Sequence, residues 1–170
     1  FVDGDVQGEG TRSVLVRDGT MVGGNVQIKQ ANAPADVDAL WVDSAAVEGD
    51  VQAEKSSGRL RVTGSRVGGN LQFVENSTGI YDIRDNRIDG DIQFFKNKGA
   101  ATITDNSVKG NLCLLYTSDA ADDLPCVDLG GRRIITKKIH TQLPCNRHIP
   151  TFYIHPITHI PHTPPPTSHI

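Results

Sequence analysis

Cysteine and histidine are absent from the first 112 residues of this chain, and proline occurs there only once, at Pro34. All three cysteines, all six histidines and the other prolines lie after residue 112. The first part therefore lacks the thiols of a disulfide framework and the usual ligands of a zinc site. The chain divides at residue 112 into two parts of different composition.

Long apolar runs and an excess of basic side chains are lacking as well. No stretch provides the roughly 20 predominantly apolar residues that a membrane-spanning helix needs. The whole chain carries a formal net charge of −3, and acidic side chains outnumber basic ones before residue 113. Nucleic acids and anionic membranes favour basic faces, so we expect no nucleic-acid partner and no membrane span.

Glycine, by contrast, is abundant and recurs in a motif, apolar-x-Gly-Asp/Asn-apolar-Gln, which is most complete from Val67 to Phe73. Copies separated by about twenty residues predict a repeat protein. One spacing is longer and holds Ala31 to Ala35, which we interpret as a loop insertion. The motif glycines are Gly4, Gly24, Gly49, Gly69, Gly90 and Gly110, with spacings of 20, 25, 20, 21 and 20 residues.

Apolar and polar residues alternate within each copy of the motif. From Val67 to Phe73 the odd positions are Val, Gly, Leu and Phe, and the even positions are Gly, Asn and Gln. A period of two predicts a strand with one buried face, and nothing before residue 113 has a helical period. A hairpin meander would share this period. The unit length favours an all-β fold, a right-handed parallel β-helix or solenoid of about five coils over residues 1–112.

Equivalent positions of successive coils should form columns with a spacing of roughly 4.8 Å. The motif glycine shares the inward parity of the apolar columns, which indicates either a lack of space at a corner or a positive φ. The predicted core columns are Val2, Val22, Val47, Val67, Ile88 and Val108; then Val6, Val26, Val51, Leu71, Ile92 and Leu112; then Ile28, Ala53, Phe73 and Phe94.

An outward-facing polar ladder is the candidate site. Its first column alternates acid and amide: Asp5, Asn25, Asp50, Asn70, Asp91 and Asn111. Its second column is Gln7, Gln27, Gln52, Gln72 and Gln93. Successive aspartates lie two coils apart, on the order of 10 Å, whereas calcium needs oxygens at about 2.3–2.6 Å. We therefore favour a structural ladder over a ligand-binding face, and expect no catalytic residue, metal or cofactor.

Two other groups are weaker candidates. We place Trp41 and Tyr81 at equivalent positions two coils apart, where they could stack on a sugar, although a core edge or surface strand is the favoured interpretation. Interspersed charges in neighbouring coils predict solvated ion pairs rather than a phosphate site. These charges are Arg59, Arg61, Arg66, Arg84 and Arg87 beside Asp82, Asp85 and Asp89.

The repeat Val-x-Gly-Asn-Leu-Gln-Phe, preceded by Ile-x-Asp-Asn at residues 83–86, is similar to repeats of exported bacterial β-solenoid proteins of uncharacterised role. The resemblance covers residues 1–112 and implies a secreted or cell-surface protein. Such proteins usually have a signal peptide and often cysteines near the end. Phe1 falls inside a repeat, so we expect a fragment truncated at both ends.

The motif breaks at Cys113, where a glutamine is expected. The stretch from Cys113 to Asp123 resembles a translated transposon-type sequencing adapter, and Val127 to Ile135 resembles the flow-cell end of the same adapter. This resemblance implies that residues 113–135 are an artefact and that residues 136–170 are read noise. We expect a disordered, non-native tail, and give no weight to metal-ligand spacing among its histidines.

Three functions fit this pattern. The favoured one is a non-catalytic structural or surface-interaction solenoid that contacts polysaccharide or a cell surface. A carbohydrate-active β-helix of the lyase or hydrolase type would need clustered charged residues in a cleft built by long loops, but only Ala31 to Asp38 is long. A polymer-forming scaffold similar to bactofilins would self-associate through open coil edges.

Overall fold

A computed structural model of the chain describes residues 1–77 and 80–115, and the backbone of residues 126–128, 133–134 and 137–140. Over these residues it contains nineteen strands and no helix, and so no helix capable of crossing a membrane. The predicted all-β class is confirmed. Each of five successive coils contributes three strands, and a sixth coil begins with the last parallel strand.

The strands of the first three coils are β1 (Val6–Glu9), β2 (Val14–Val16), β3 (Met21–Val22), β4 (Val26–Lys29), β5 (Asp38–Asp43), β6 (Ala46–Val47), β7 (Val51–Glu54), β8 (Arg59–Thr63) and β9 (Arg66–Val67). The remaining strands are β10 (Leu71–Val74), β11 (Ile80–Arg84), β12 (Arg87–Ile88), β13 (Ile92–Phe95), β14 (Ala100–Thr104), β15 (Asn106–Val108), β16 (Asn111–Leu115), β17 (Cys126–Asp128), β18 (Arg133–Ile134) and β19 (Lys137–His140).

Equivalent strands of successive coils pair in parallel and form three sheets. Sheet 1 contains β1, β4, β7, β10, β13 and β16; sheet 2 contains β2, β5, β8, β11 and β14; sheet 3 contains β3, β6, β9, β12 and β15. The register places Val6 beside Val26 and Val26 beside Val51, as the column prediction requires. A meander would pair neighbours antiparallel. The chain is therefore a parallel β-solenoid with coils of about twenty residues.

The core is the interior of this three-sided stack. The predicted columns lie there, and their members are buried from the second coil onward. Three aromatic rings enlarge the core of the later coils: the Phe73 and Phe94 centroids are 5.0 Å apart, and Tyr81 lies 5.7 Å and 5.3 Å from them. The Tyr81 hydroxyl donates to the Lys98 carbonyl at 3.1 Å, which satisfies its one polar group.

The prediction that Trp41 and Tyr81 occupy equivalent positions is wrong. Tyr81 pairs with Leu60 in the inward column and is fully buried, whereas Trp41 pairs with Arg61 on the outer face of sheet 2. Ile80, the apolar neighbour of Tyr81, is 52% exposed. The larger tyrosine ring fills the space beside the phenylalanines. Hydrophobicity alone therefore does not predict which of these two neighbouring residues faces the core.

Left-handed residues turn the chain at two corners of the coil. The first corner follows sheet 1, where Gln30 (φ 52°), Lys55 (φ 49°), Glu75 (φ 54°) and Lys96 (φ 53°) occupy this conformation. The second corner follows sheet 2 and uses Ser44, Gly64, Asp85 and Asp105 in the same way. Each non-glycine residue at such a φ carries a conformational penalty, and the stacking of the coils maintains it.

Substitutions at Gln30 should measure this penalty. Gln30→Gly should raise the free energy of unfolding by about 0.5–1 kcal/mol, because glycine enters the left-handed region without steric cost. Gln30→Val should lower it by about 1–2 kcal/mol, because a β-branched side chain is least tolerated there. Urea unfolding followed by the fluorescence of Trp41, the single tryptophan, would measure both. Equal stability of the two variants would contradict the corner geometry.

Short strands after Leu115 pair antiparallel with the last coil: β17 with β16, β18 with β15, and β19 with β14. Strand β16 itself continues the coil past residue 112, with Cys113 at the glutamine position and Leu114 in the core column. Cys113 is disulfide-bonded. The predicted disordered tail falls mostly on residues 116–125, 129–132, 135–136 and 141–170, which lie outside the described residues.

Candidate functional site: the outer ladders

The Asp/Asn ladder hydrogen-bonds each coil to the next at the third corner, between sheets 3 and 1. Each Oδ1 accepts the backbone N–H of the ladder residue one coil further on. The distances run from 2.6 Å (Asn25 N to Asp5 Oδ1) to 2.9 Å (Asp91 N to Asn70 Oδ1). The backbone N–H groups of Asp50, Asn70 and Asn111 donate in the same way to the ladder residue of the preceding coil. The side chains thereby satisfy corner N–H groups that strand pairing does not use.

The motif glycines provide room for this ladder. A Cβ at Gly24 would lie 2.2 Å from Asp5 Oδ1, and one at Gly69 would lie 2.1 Å from Asp50 Oδ1. Corresponding contacts of 2.3–2.5 Å recur at Gly49, Gly90 and Gly110. These five glycines do not have positive φ. Of the two explanations drawn from the sequence, lack of space is correct and a left-handed conformation is wrong.

The glutamine ladder lies on the outer face of sheet 1 and follows a two-coil pattern. In coils with Asp, glutamine donates to that aspartate within its own coil: Gln52 Nε2 lies 3.2 Å from Asp50 Oδ2. In coils with Asn, glutamine donates to the next coil instead: Gln27 Nε2 bonds Gln52 Oε1, and Gln72 Nε2 bonds Gln93 Oε1 at 3.3 Å. Gln7 and Gln93 follow the aspartate rule, at 3.3 and 3.4 Å.

The hydrogen-bonding capacity of the two side chains explains this pattern. A carboxylate only accepts, so one aspartate oxygen takes the N–H of the next coil and the other takes the glutamine amide. Asparagine has an NH2 group in place of the second oxygen, and because this group donates and does not accept, glutamine donates to the neighbouring coil instead. The alternation of Asp and Asn therefore sets a repeat of two coils on the outer face.

Two buried ladders, which we did not predict from the sequence, join the coils at the other two corners. The first-corner column is Ala31, Ser56, Asn76 and Asn97, and the second-corner column is Ala45, Ser65, Asn86 and Asn106. In both columns the side-chain oxygen accepts an N–H from the preceding coil, opposite in direction to the Asp/Asn ladder. The recurrence of asparagine at both corners of the last two coils was the signal in the sequence that could have predicted these ladders. In the structure each of these asparagines follows a left-handed residue.

Asn86 shows how fully such a residue is bonded. Its Oδ1 accepts the Ser65 N–H at 2.9 Å, and its Nδ2 donates to the Val62 carbonyl at 2.7 Å. Its backbone N–H and its Nδ2 both donate to Asn106 Oδ1, at 3.0 and 2.9 Å. Asn86 is 2% exposed, so water cannot replace these partners. The buried ladders are structural and present no group to a ligand.

The outer face of sheet 2 carries a stack of cations on an indole. The Arg17 and Arg61 guanidinium carbons lie 4.7 and 4.4 Å from the Trp41 ring centroid. Arg61 also lies 3.5 Å from Asp38, which in turn pairs with Arg59 at 3.2 Å. Because two guanidinium groups already contact the Trp41 ring, the indole offers little free surface for sugar stacking.

The predicted ion pairs are present on the outer surface. Asp82 lies 2.6 Å from Arg84 and 4.0 Å from Arg61. Asp82 raises the pKa of Arg84, chiefly through their hydrogen bond, and the charge of Asp85 adds a smaller contribution. These charges are exposed or half-buried and interleaved, so each pair contributes little to stability.

Asp89 is surrounded by three cations and should make the fold sensitive to acid. Lys109 lies at 2.9 Å, Arg66 at 3.3 Å and Arg87 at 3.6 Å. The hydrogen bond from Lys109 is the main cause that lowers the pKa of Asp89. The resulting stabilisation is complete above the unfolded pKa, near pH 4, and is lost as the pH falls through the lower folded pKa.

Lys109→Met should raise the pKa of Asp89 toward its ordinary value, so this variant should be less stable than the unmodified chain near neutral pH and should lose less of its stability as the pH falls below about 4. The exposed Lys98 shows no ion pair among the described residues, so Lys98→Met is the matched control. Unfolding free energies measured from pH 6 to pH 2 would compare the variants. Identical pH profiles for both lysine variants would contradict the role of Lys109.

Other features of the described residues do not form a reaction centre. Among residues 1–77 and 80–114, no group of three or more His, Cys, Asp and Glu could hold a metal ion. A groove of about 430 Å³ on sheet 3 is lined by Phe1, Met21, Ala46, Glu48, Arg66 and their neighbours. It contains a single acidic residue, and no pair of carboxylates faces across it.

The stacked coils and their three corner ladders define a parallel β-solenoid repeat protein. No protein-family model, curated protein or solved structure matches the chain.

Proposed function

We propose that this chain is a non-catalytic β-solenoid, exported by a bacterium to the cell surface or the medium, that holds a rigid polar face against polysaccharide or another surface component. The arrangement of the Asp/Asn ladder supports this function. Both oxygens of Asp50 are occupied, one by the Asn70 N–H and the other by Gln52, so this carboxylate is not poised for proton transfer. The same bonds repeat from coil to coil and make the outer face regular.

A pull-down on insoluble cell-wall polysaccharide, combined with an assay for released oligosaccharide, tests this function. We expect the folded chain to be retained without releasing sugar, and the heat-denatured chain to be the control for non-specific adhesion. Release of oligosaccharide would contradict the proposal and favour the lyase or hydrolase alternative. Filaments in electron micrographs together with no retention would favour the polymer-forming alternative.

We also propose that residues 113–135 derive from a sequencing adapter and that residues 136–170 are read noise. The support for this proposal is the resemblance of residues 113–123 and 127–135 to translated adapter sequence. Sequencing the source DNA across the codon for Leu112 tests this origin. We expect the natural frame to continue the coil, with glutamine in place of Cys113. A genomic reading frame that runs unchanged through Ile170 would contradict it.

A further inference from the structure

From the second coil onward, free and occupied acceptors alternate along the glutamine ladder; Gln7 Oε1, in the first coil, also accepts no hydrogen bond among the described residues. Gln52 Oε1 and Gln93 Oε1 accept amides from neighbouring glutamines, whereas among the described residues no hydrogen bond reaches Gln27 Oε1 or Gln72 Oε1. Neighbouring rungs lie roughly 4.8 Å apart, so the pattern repeats at about 10 Å along the axis. A ligand that follows the axis from Gln27 would meet a free amide acceptor once in every two coils.

The side chains on this face suit a neutral, hydroxyl-rich partner. The ladder consists of amides, each of which can donate and accept, and its aspartates are already bonded to backbone and glutamine. The neighbouring outward column holds Glu9, Lys29 and Glu54 in the first three coils, where Lys29 and Glu54 pair at 3.2 Å. In the next two coils it holds Val74 and Phe95, which are half-buried and offer an apolar patch beside Gln72 and Gln93. Amides beside an apolar ring can contact both the hydroxyl edge and the C–H face of a sugar.

We propose that the outer face of sheet 1 binds an extended β-1,4-linked polysaccharide along the solenoid axis, with one disaccharide for every two coils. This inference rests on the proposed surface-contact function and names its partner. Successive sugars in a β-1,4-linked chain are turned over relative to each other, so the same hydroxyl edge recurs once per disaccharide. That repeat is close to the two-coil repeat of Gln27 and Gln72. An α-1,4-linked chain is curved, so it cannot contact the glutamine ladder over several coils.

The length of the face sets the length of the ligand. Five coils extend over roughly 24 Å, enough for two to three disaccharides. Affinity should therefore rise with each disaccharide up to the tetrasaccharide or hexasaccharide, and then change little with further length. A short groove around a single sugar would instead show no dependence on length beyond the disaccharide.

Titration calorimetry of the full chain with β-1,4-linked glucose oligosaccharides tests the inference, with α-1,4-linked glucose oligosaccharides of equal length as the control ligands. We expect binding of the β-linked series only. The quadruple variant Gln27→Ala/Gln52→Ala/Gln72→Ala/Gln93→Ala removes the free acceptors without exposing those of Gln52 and Gln93, and should weaken binding by about tenfold or more. Thr102→Ala/Thr104→Ala, on the outer face of sheet 2, is the matched control and should bind as the unmodified chain does.

Circular dichroism and thermal melting check that the glutamine variant and the threonine variant remain folded before binding is compared. Equal binding of α- and β-linked ligands, no binding of either, or equal affinity of the glutamine and threonine variants would overturn the inference. Retention on cell-wall polysaccharide without binding of β-1,4-linked oligosaccharides would overturn it while leaving the proposed function intact. Release of sugar would overturn the proposed function itself.

Discussion

Gly69→Val should prevent folding or lower the free energy of unfolding by more than about 4 kcal/mol. A Cβ at this position would lie 2.1 Å from Asp50 Oδ1 and 2.9 Å from the Gly49 carbonyl carbon. Relief would require the aspartate to leave the Asn70 N–H, which it accepts at 2.6 Å, or the two coils to separate. Both changes break the contact by which one coil stacks on the next.

Gly4→Val is the matched control, because Gly4 is the same motif glycine in the first coil and nothing lies within 4 Å of its Cβ position. We expect this variant to unfold in urea within about 0.5 kcal/mol of the unmodified chain. Gln72→Ala, on the outer face, should also cost less than about 1 kcal/mol. Equal destabilisation by Gly4→Val and Gly69→Val would show that the motif glycine is required for its backbone conformation rather than for the space that the ladder side chain occupies.

Asn86→Ala should lower the free energy of unfolding by about 3–5 kcal/mol. The substitution leaves the buried Ser65 N–H and Val62 carbonyl without their partners, and each unsatisfied group costs about 1–3 kcal/mol. It also opens a small cavity and removes the amide that bonds Asn106. Urea unfolding followed by circular dichroism measures the loss.

Asn70→Ala is the control for the exposed ladder. Asn70 likewise accepts an N–H from a neighbouring coil, that of Asp91 at 2.9 Å, but it is half-buried and water can replace it. Its loss should cost about 1 kcal/mol. An equal cost for Asn70→Ala and Asn86→Ala would show that burial at the second corner does not determine the strength of these ladders.

Much of this architecture could be predicted because a solenoid converts sequence distance directly into spatial position. Val26, Val51 and Leu71 stack because twenty to twenty-five residues return the chain to the same place on the next coil. The strand period of two then separates the inward-facing valines and leucines from the outward-facing glutamines. The lengthened coil was recognisable as well, but its extra residues follow Asn32, which pairs with Ser57, and the register shifts between Asp38 and Leu40.

The remaining features depend on hydrogen-bond direction and local volume, which periodicity does not encode. Asn76 and Asn86 resemble ordinary turn residues in the sequence, and they are buried only because left-handed Glu75 and Asp85 turn them inward. The two-coil pattern of the glutamines likewise depends on which aspartate oxygen remains free after the corner N–H is satisfied. Tyr81 was misplaced because its size, rather than its polarity, decides its position.

Disulfide cross-linking tests the parallel stacking most directly. The double variant Gln27→Cys/Gln52→Cys places thiols on adjacent rungs of sheet 1, about 4.8 Å apart between Cα atoms and within disulfide range. Gln27→Cys/Glu54→Cys moves the second thiol two residues along the same strand and is the control. After mild oxidation and tryptic mass spectrometry, we expect the cross-link between positions 27 and 52 and none between 27 and 54. Cross-linking of 27 to 54 in preference to 52 would contradict the parallel register on which every ladder depends.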